Sequence, residues 1–195
     1  AFVAYQPSGG AFTGFTVKVP EGWARTGQGS TTVFTDKLNT VKITAVSAAA
    51  APTTGSVTSK VIPQLRSQVP KFAAPKVSEV TRHSGRLVLL TYQGDSAKDP
   101  VTGKVVRDAF ERYAFYRAGH EVDLTLSGPV KADNVDPWRI VSDSFAWRST
   151  DASRLVRPPR LGRLCADSPR ALQLRPCRRG GEARPGRGFA DRATW

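Results

Sequence analysis

Apolar and polar residues alternate in short runs along the first three quarters of the chain, and in two stretches the spacing lengthens to that of a helix. Phe15, Val17 and Val19 alternate with Thr16 and Lys18, which predicts a half-buried strand stopped by Pro20. Residues 31–35 and 41–46 read as two more strands. Asp36-Lys37-Leu38-Asn39 joins them as a hairpin connection in which Asn39 is the residue expected at positive φ. Val57, Val61, Leu65 and Val69 then recur every four residues, predicting a helix over 54–69 with Ser56 as its N-cap. Pro63 lies inside that pattern and either kinks the helix or marks its true first turn. Four strands follow, at 76–82, 86–93, 104–116 and 121–127, separated by Ser84-Gly85, a longer polar loop from 95 to 103, and Ala118-Gly119-His120. The segment from Phe110 to Tyr116 is aromatic at both parities, which predicts cover on both faces of the sheet. A closing helix over 136–147 is signalled by Asp136 as N-cap, Pro137 at the first helical position, Val135 stapled on Ile140, and the stripe Trp138, Val141, Phe145.

This order predicts an α+β domain: an antiparallel sheet of about six or seven strands with the two helices packed on it. The periodicity stops after Trp147. Residues 1–147 carry 17 basic and 12 acidic residues, a net +5, whereas residues 148–195 carry 12 Arg, no Lys and 4 acids, a net +8, together with 5 Pro and 5 Gly. The chain therefore divides into a domain, 1–147, and an Arg/Pro/Gly-rich tail, 148–195, expected to be disordered or to be a frame-shifted extension, since Arg, Pro, Gly and Ala are what GC-rich codons encode. Both cysteines, Cys165 and Cys177, fall in the tail and are expected to be unpaired. A domain of that length buries roughly 68–70% of its unfolded surface and needs no metal or disulfide. The chain has no Met and begins at Ala1, which suggests a processed chain whose N-terminal signal lies upstream.

Several segments resemble a known family. Phe15-Thr16-Val17-Lys18-Val19-Pro20-Glu21-Gly22-Trp23 resembles the opening of the PsbP-like superfamily. Phe34-Thr35-Asp36-Lys37-Leu38-Asn39, and Gly128-Pro129 followed by Ala132 through Arg139, resemble more specifically the LpqN-like secreted lipoproteins of high-GC Gram-positive bacteria. Ser144-Phe145-x-Trp147 is similar to where such domains end. The resemblance spans roughly residues 5–147 and has no counterpart for the tail. It implies a PsbP-like α/β/α sandwich, and a role in binding or assembly rather than catalysis. It also implies a lipid anchor upstream of Ala1 and a place at the extracellular face of the cytoplasmic membrane, or secretion.

Chemical motifs are sparse. There is no G-x-S-x-G, no H-E-x-x-H and no P-loop, and His83 and His120, beside glycine turns, are the only histidines. Asp133, Asn134 and Asp136 are close enough to suggest a Ca²⁺ cluster but do not fit an EF-hand, and Asp95 and Asp99 are a weaker case. No cofactor and no metal are therefore expected. The candidate ligand- or partner-binding residues are Trp23, Trp138 and Arg139, as an aromatic-and-cation patch, and Arg112. Arg112 belongs to the sign-alternating set Arg107, Asp108, Glu111, Arg112, read as cross-strand pairs on a rim or as the polar lining of a groove between sheet and helix. The expected function is a non-enzymatic, monomeric binding or adaptor domain of an envelope lipoprotein that takes a protein partner or a hydrophobic envelope ligand and no specific nucleic acid. The alternatives are an envelope hydrolase with its site in the sheet–helix groove, and a binder of anionic polymers through the arginine-rich tail.

Overall fold

The computed structural model describes residues 1–9 and 12–149. The expectations for the tail from 150 onward, with Cys165 and Cys177, lie outside the described residues. The strands are β1 (Phe2–Tyr5), β2 (Phe15–Pro20), β3 (Ala24–Gln28), β4 (Thr31–Asp36), β5 (Asn39–Ser47), β6 (Ala73–Arg82), β7 (Gly85–Asp95), β8 (Arg107–Arg117), β9 (His120–Pro129) and β10 (Ala146–Trp147). Helix α1 runs from 54 to 68 as Thr54–Ser56, a π-helical turn Val57–Val61, and Ile62–Gln68; helix α2 is Val135–Asp143. Seven strands form one antiparallel sheet in the order β3-β4-β5-β9-β8-β7-β6, and β1, β2 and β10 form a second, small one. The α+β class and the antiparallel seven-stranded sheet agree with the sequence reading.

Parity decides what each face of the large sheet meets. Val41, Ile43 and Ala45 of β5 stand opposite Leu126, Leu124 and Val122 of β9, and all six are buried. They continue through Tyr113 and Phe115 into a core closed by Phe15, Val17 and Val19 of β2 and by Val141 and Phe145. The small sheet and α2 thus cover one face. On the other, Val57, Val61, Leu65 and Val69 of the α1 stripe pack on Val88, Leu90 and Tyr92 of β7, with Phe110 beside them. Consecutive residues Leu87 and Val88 of β7 serve opposite cores, which is the two-sided cover that the aromatic run predicted.

Local signals shift by a few residues. Thr53, not Ser56, caps α1: its extended backbone lets Thr53 Oγ1 accept from the Ser56 N–H at 3.0 Å while Ser56 Oγ accepts from the Thr53 N–H at 2.9 Å. Pro63 stands inside α1 as a whole but in the first turn of its regular α-helical part, Ile62–Gln68. The π turn just before it widens the helix, which relieves the clash of the proline ring with the preceding turn. The left-handed residue of the β4–β5 hairpin is Lys37, at φ 49°, because Asn39 already pairs with Asp36. In α2 the cap position is Asn134, so Asp136 lies in the first turn, where its charge favours the helix dipole instead. Val135 is 74% exposed and forms no staple. The closing helix is shorter than 136–147. Ser144 Oγ donates to the Val141 carbonyl and accepts the Lys18 N–H of β2, after which Ala146 and Trp147 pair with Thr16 and Phe15. Gly94 admits the end of α1 to β7: a Cβ there would strike Val69 and sit 3.3 Å from the Pro70 carbonyl.

Candidate functional site

Two clefts lie on opposite faces of the seven-stranded sheet. The first opens at the start of α2 and holds about 230 Å³. Its walls are Pro129, Val130, Val135 and Trp138, and its floor is set by β8, whose alternation turns Ala109, Glu111 and Tyr113 toward α2. Arg82, at the end of β6, ties this floor to the helix. Its Nε donates to Ser142 Oγ at 3.1 Å and lies 3.5 Å from Asp143, while its NH2 group donates to Tyr113 Oη at 3.1 Å. Tyr113 in turn donates to Glu111 at 2.5 Å, and the Arg82 guanidinium stands 5.1 Å over the tyrosine ring. Burial, then the bond to Glu111, pushes the Tyr113 phenol up, so it stays a neutral donor. Each of these groups already has a partner, so the groove offers a visitor the Trp138 ring and a shape rather than a free acid or base.

Trp138 and Arg139 of the sequence-predicted patch do meet here, with Arg139 exposed and 3.3 Å from Asp143 on the next helical turn. Trp23 is half-buried against the core behind β2. Arg112 is on the other face of the sheet, because it falls between Glu111 and Tyr113 in β8. There it pairs with Asp123 at 2.7 Å and Glu121 at 3.6 Å. The rim-pairing reading thus holds for Arg112 only as an inward pair, with 11% of its side chain exposed. Burial above all pushes the Asp123 carboxyl up to about 7, with Arg112 opposing and Glu121 reinforcing the shift. Burial likewise takes the nearby Tyr92 phenol to about 12, against the lowering charge of Arg112.

The second cleft is larger, about 970 Å³, and occupies the face that α1 leaves uncovered. Its floor is Phe110 and Ser127, with Thr40 of β5 alongside. Val69 and Pro70 at the end of α1 form one wall, the Lys37-Leu38 turn another, and the segment 96–106 the roof. That segment closes on itself: Ser96 N–H donates to the Val106 carbonyl, Val106 N–H to Ser96 Oγ, and Asp99 Oδ1 accepts from the N–H groups of Val101 and Thr102 and from the Thr102 hydroxyl. Deep in the cleft lies Asp108, 6% exposed, one of whose carboxylate oxygens has no partner. Its carboxyl is raised, first by burial and then by the charge of Asp95. Sequence reasoning read 95–103 as a polar loop and missed the cavity. The nearest signal was the alternative that the 107–112 charges line a groove between sheet and helix: Glu111 lies in the first cleft, between the sheet and α2, and Asp108 lines the second.

Among the described residues no group of three or more His, Cys, Asp or Glu side chains could hold a metal ion, and no helix is long and apolar enough to cross a membrane. His83 is exposed, and His120 stacks on Phe12 with ring centroids 3.9 Å apart.

No family model matches the sequence, and no curated protein matches it. Among solved structures the chain is similar to a Bacteroides thetaiotaomicron protein, with 10% identity and a TM-score of 0.48 over 71% of this chain and 47% of that one. It spans less than half the length of that protein. It is also similar to cyanobacterial PsbP from Synechocystis, at 15% identity and a TM-score of 0.48, over 75% of this chain and 92% of that one. A third likeness is to LpqN of Mycobacterium tuberculosis, described as involved in cell envelope biogenesis. It has 15% identity and a TM-score of 0.43 over 76% of this chain and 92% of that one. At these identities the likeness is one of fold.

Proposed function

We propose that the chain is a non-enzymatic binding domain of the cell envelope that takes an apolar-bodied ligand into the cleft beneath residues 96–106. One observation carries the reading: a cavity of about 970 Å³ floored by Phe110 and walled by Val69 and Pro70, whose accessible lining is mostly apolar, with Asp108, Ser127 and Thr40 inside and charged side chains such as Lys37, Lys98 and Lys104 around its opening. Pockets of roughly 300–1,000 Å³ with a mostly apolar lining and a small number of placed polar groups are where proteins hold small ligands. The saturated Arg82–Tyr113–Glu111 network supports binding over catalysis at the first cleft alone, since an acid–base catalyst needs a group free to exchange a proton with substrate. The placement at the outer face of the membrane through an upstream lipid anchor belongs to the same proposal and rests on the motif resemblance. The test is titration with the uncharged fluorophore 1-N-phenylnaphthylamine, whose emission rises in an apolar cavity. Saturable enhancement that Ala97→Trp, in the roof, abolishes is the expected result. Enhancement that is absent, or unchanged in the variant, refutes the reading.

A protein partner at the first cleft is a second reading, favoured by the exposed Val130 and Val135 beside Trp138. A photo-crosslinker at Val135, but not one at the still more exposed Val101, should then capture one discrete protein in the producing cell.

A further inference from the structure

We propose that the ligand of the large cavity is an anionic amphiphile, its alkyl chain on the Phe110 floor and its phosphate or carboxylate head among Lys37, Lys98 and Lys104 at the mouth; this rests on the binding-domain reading above.

The mouth carries the charge argument. Lys37 comes from the β4–β5 hairpin and Lys98 and Lys104 from the roof, so two segments far apart in sequence bring three exposed ammonium groups to one opening. None of the three makes an ion pair among the described residues. The acids of the cleft do not cancel them. Asp95 is engaged by Arg107 at 3.3 Å and Lys71 at 3.5 Å. Asp99 is charged, but its Oδ1 is taken up by its own loop, and it is one carboxylate against three lysines. Uncompensated cations around a cavity attract an anion and raise its local concentration.

The interior fixes which end enters. Asp108 is buried in the cleft with an unpartnered oxygen, so an anion pushed to the inner end would meet a carboxyl and no cation. Desolvating a charge there without a partner is costly. An apolar chain against Phe110, Val106 and Val69 has no such cost. The two ends of the cavity therefore have opposite preferences, and a molecule with an apolar chain and an anionic head satisfies both.

The full chain is titrated below micelle-forming concentration with dodecyl phosphate, dodecanol, dodecylamine and inorganic phosphate, each displacing 1-N-phenylnaphthylamine, and separately with vesicles containing anionic lipid. Dodecyl phosphate should bind about tenfold more tightly than dodecanol, the scale of a few partly exposed ion pairs, with dodecylamine weakest. The triple variant Lys37→Gln, Lys98→Gln, Lys104→Gln should erase that preference and leave dodecanol affinity unchanged. Its three sites are exposed, so folding is not at stake. Equal binding of the phosphate and the alcohol overturns the anionic head while the cavity reading survives. Binding of no chain at all removes both. Inorganic phosphate binding as well as dodecyl phosphate shows a free-anion site and overturns the amphiphile. Binding to vesicles without uptake of monomers shows surface docking and overturns it too.

Discussion

Phe145 is the residue whose loss should cost the domain most. It is 1% exposed, directly beyond the last turn of α2. It stacks on Phe115 of the large sheet at 3.8 Å and on Phe15 of the small sheet at 5.4 Å, and meets Trp147 edge-on at 5.0 Å. One ring thus joins helix, large sheet and small sheet. Replacing it by Ala forfeits a transfer free energy of about 2–3 kcal/mol. It also opens a void of at most ~100 Å³, which at ~24 cal/mol per Å³ adds about 2 kcal/mol. Phe145→Ala should therefore destabilise the domain by about 4–5 kcal/mol, at the top of the range for buried aromatic truncations. With a urea slope of about 2 kcal/mol per molar, the unfolding midpoint should fall by roughly 2 M. Phe145→Leu, which refills much of the space, should lose less than half as much. An Ala variant within about 1.5 kcal/mol of wild type would refute the reasoning. It would mean that the small sheet and α2 do not depend on this ring, and that the core facing them closes some other way.

Asp123→Asn tests the buried charge pair. Because the folded carboxyl is raised from 3.8 to about 7, the native state holds the extra proton between those values, so wild-type stability should fall as pH rises across that window. The Asn variant should lose that slope in thermal melts from pH 4 to 8, and an identical slope in both proteins would count against it. Gly94→Ala should cost about 1–3 kcal/mol by overpacking Val69, read from urea midpoints; a neutral result would show that the end of α1 can move away from β7. Arg82→Met should cost about 1–3 kcal/mol by leaving the buried Ser142 and the Tyr113 hydroxyl short of a partner, again in urea, whereas Arg139→Met, at an exposed pair, should be nearly neutral.

Strands whose side chains alternate between core and surface were legible, and so was the four-residue stripe of α1, because burial writes those periods into the sequence. β3 was not. All five residues, Ala24 to Gln28, are exposed, and apart from the Arg25 guanidinium over the Tyr5 ring the strand is held by its backbone ladder on β4 at the sheet edge. β10 is two residues long, too short to carry a period, and took the place of the last helical turn because β2 offered it free backbone partners. Caps slipped by two or three residues where neighbouring Ser, Thr, Asn or Asp side chains competed for the same role, as Thr53 and Ser56 did.

The sites were less legible for a reason that β8 makes plain. Arg107, Asp108, Glu111 and Arg112 form one sign-alternating run, and a one-dimensional reading treats them as one surface. Strand geometry sends them to four environments. Arg107 pairs with Asp95 and donates to the Lys71 carbonyl; Asp108 is sealed in the large cavity; Glu111 receives Tyr113 in the opposite cleft; Arg112 holds Asp123 and Glu121. Two of the four therefore serve different clefts on different faces, three residues apart. Trp138 and Arg139 could be paired in advance because they are adjacent in one short helix. Lys37, Lys98 and Lys104 could not, since what unites them is the return of the chain from β5 through α1 to β8, and that return is fixed by the apolar rows of the sheet rather than by any residue at the mouth of the cavity.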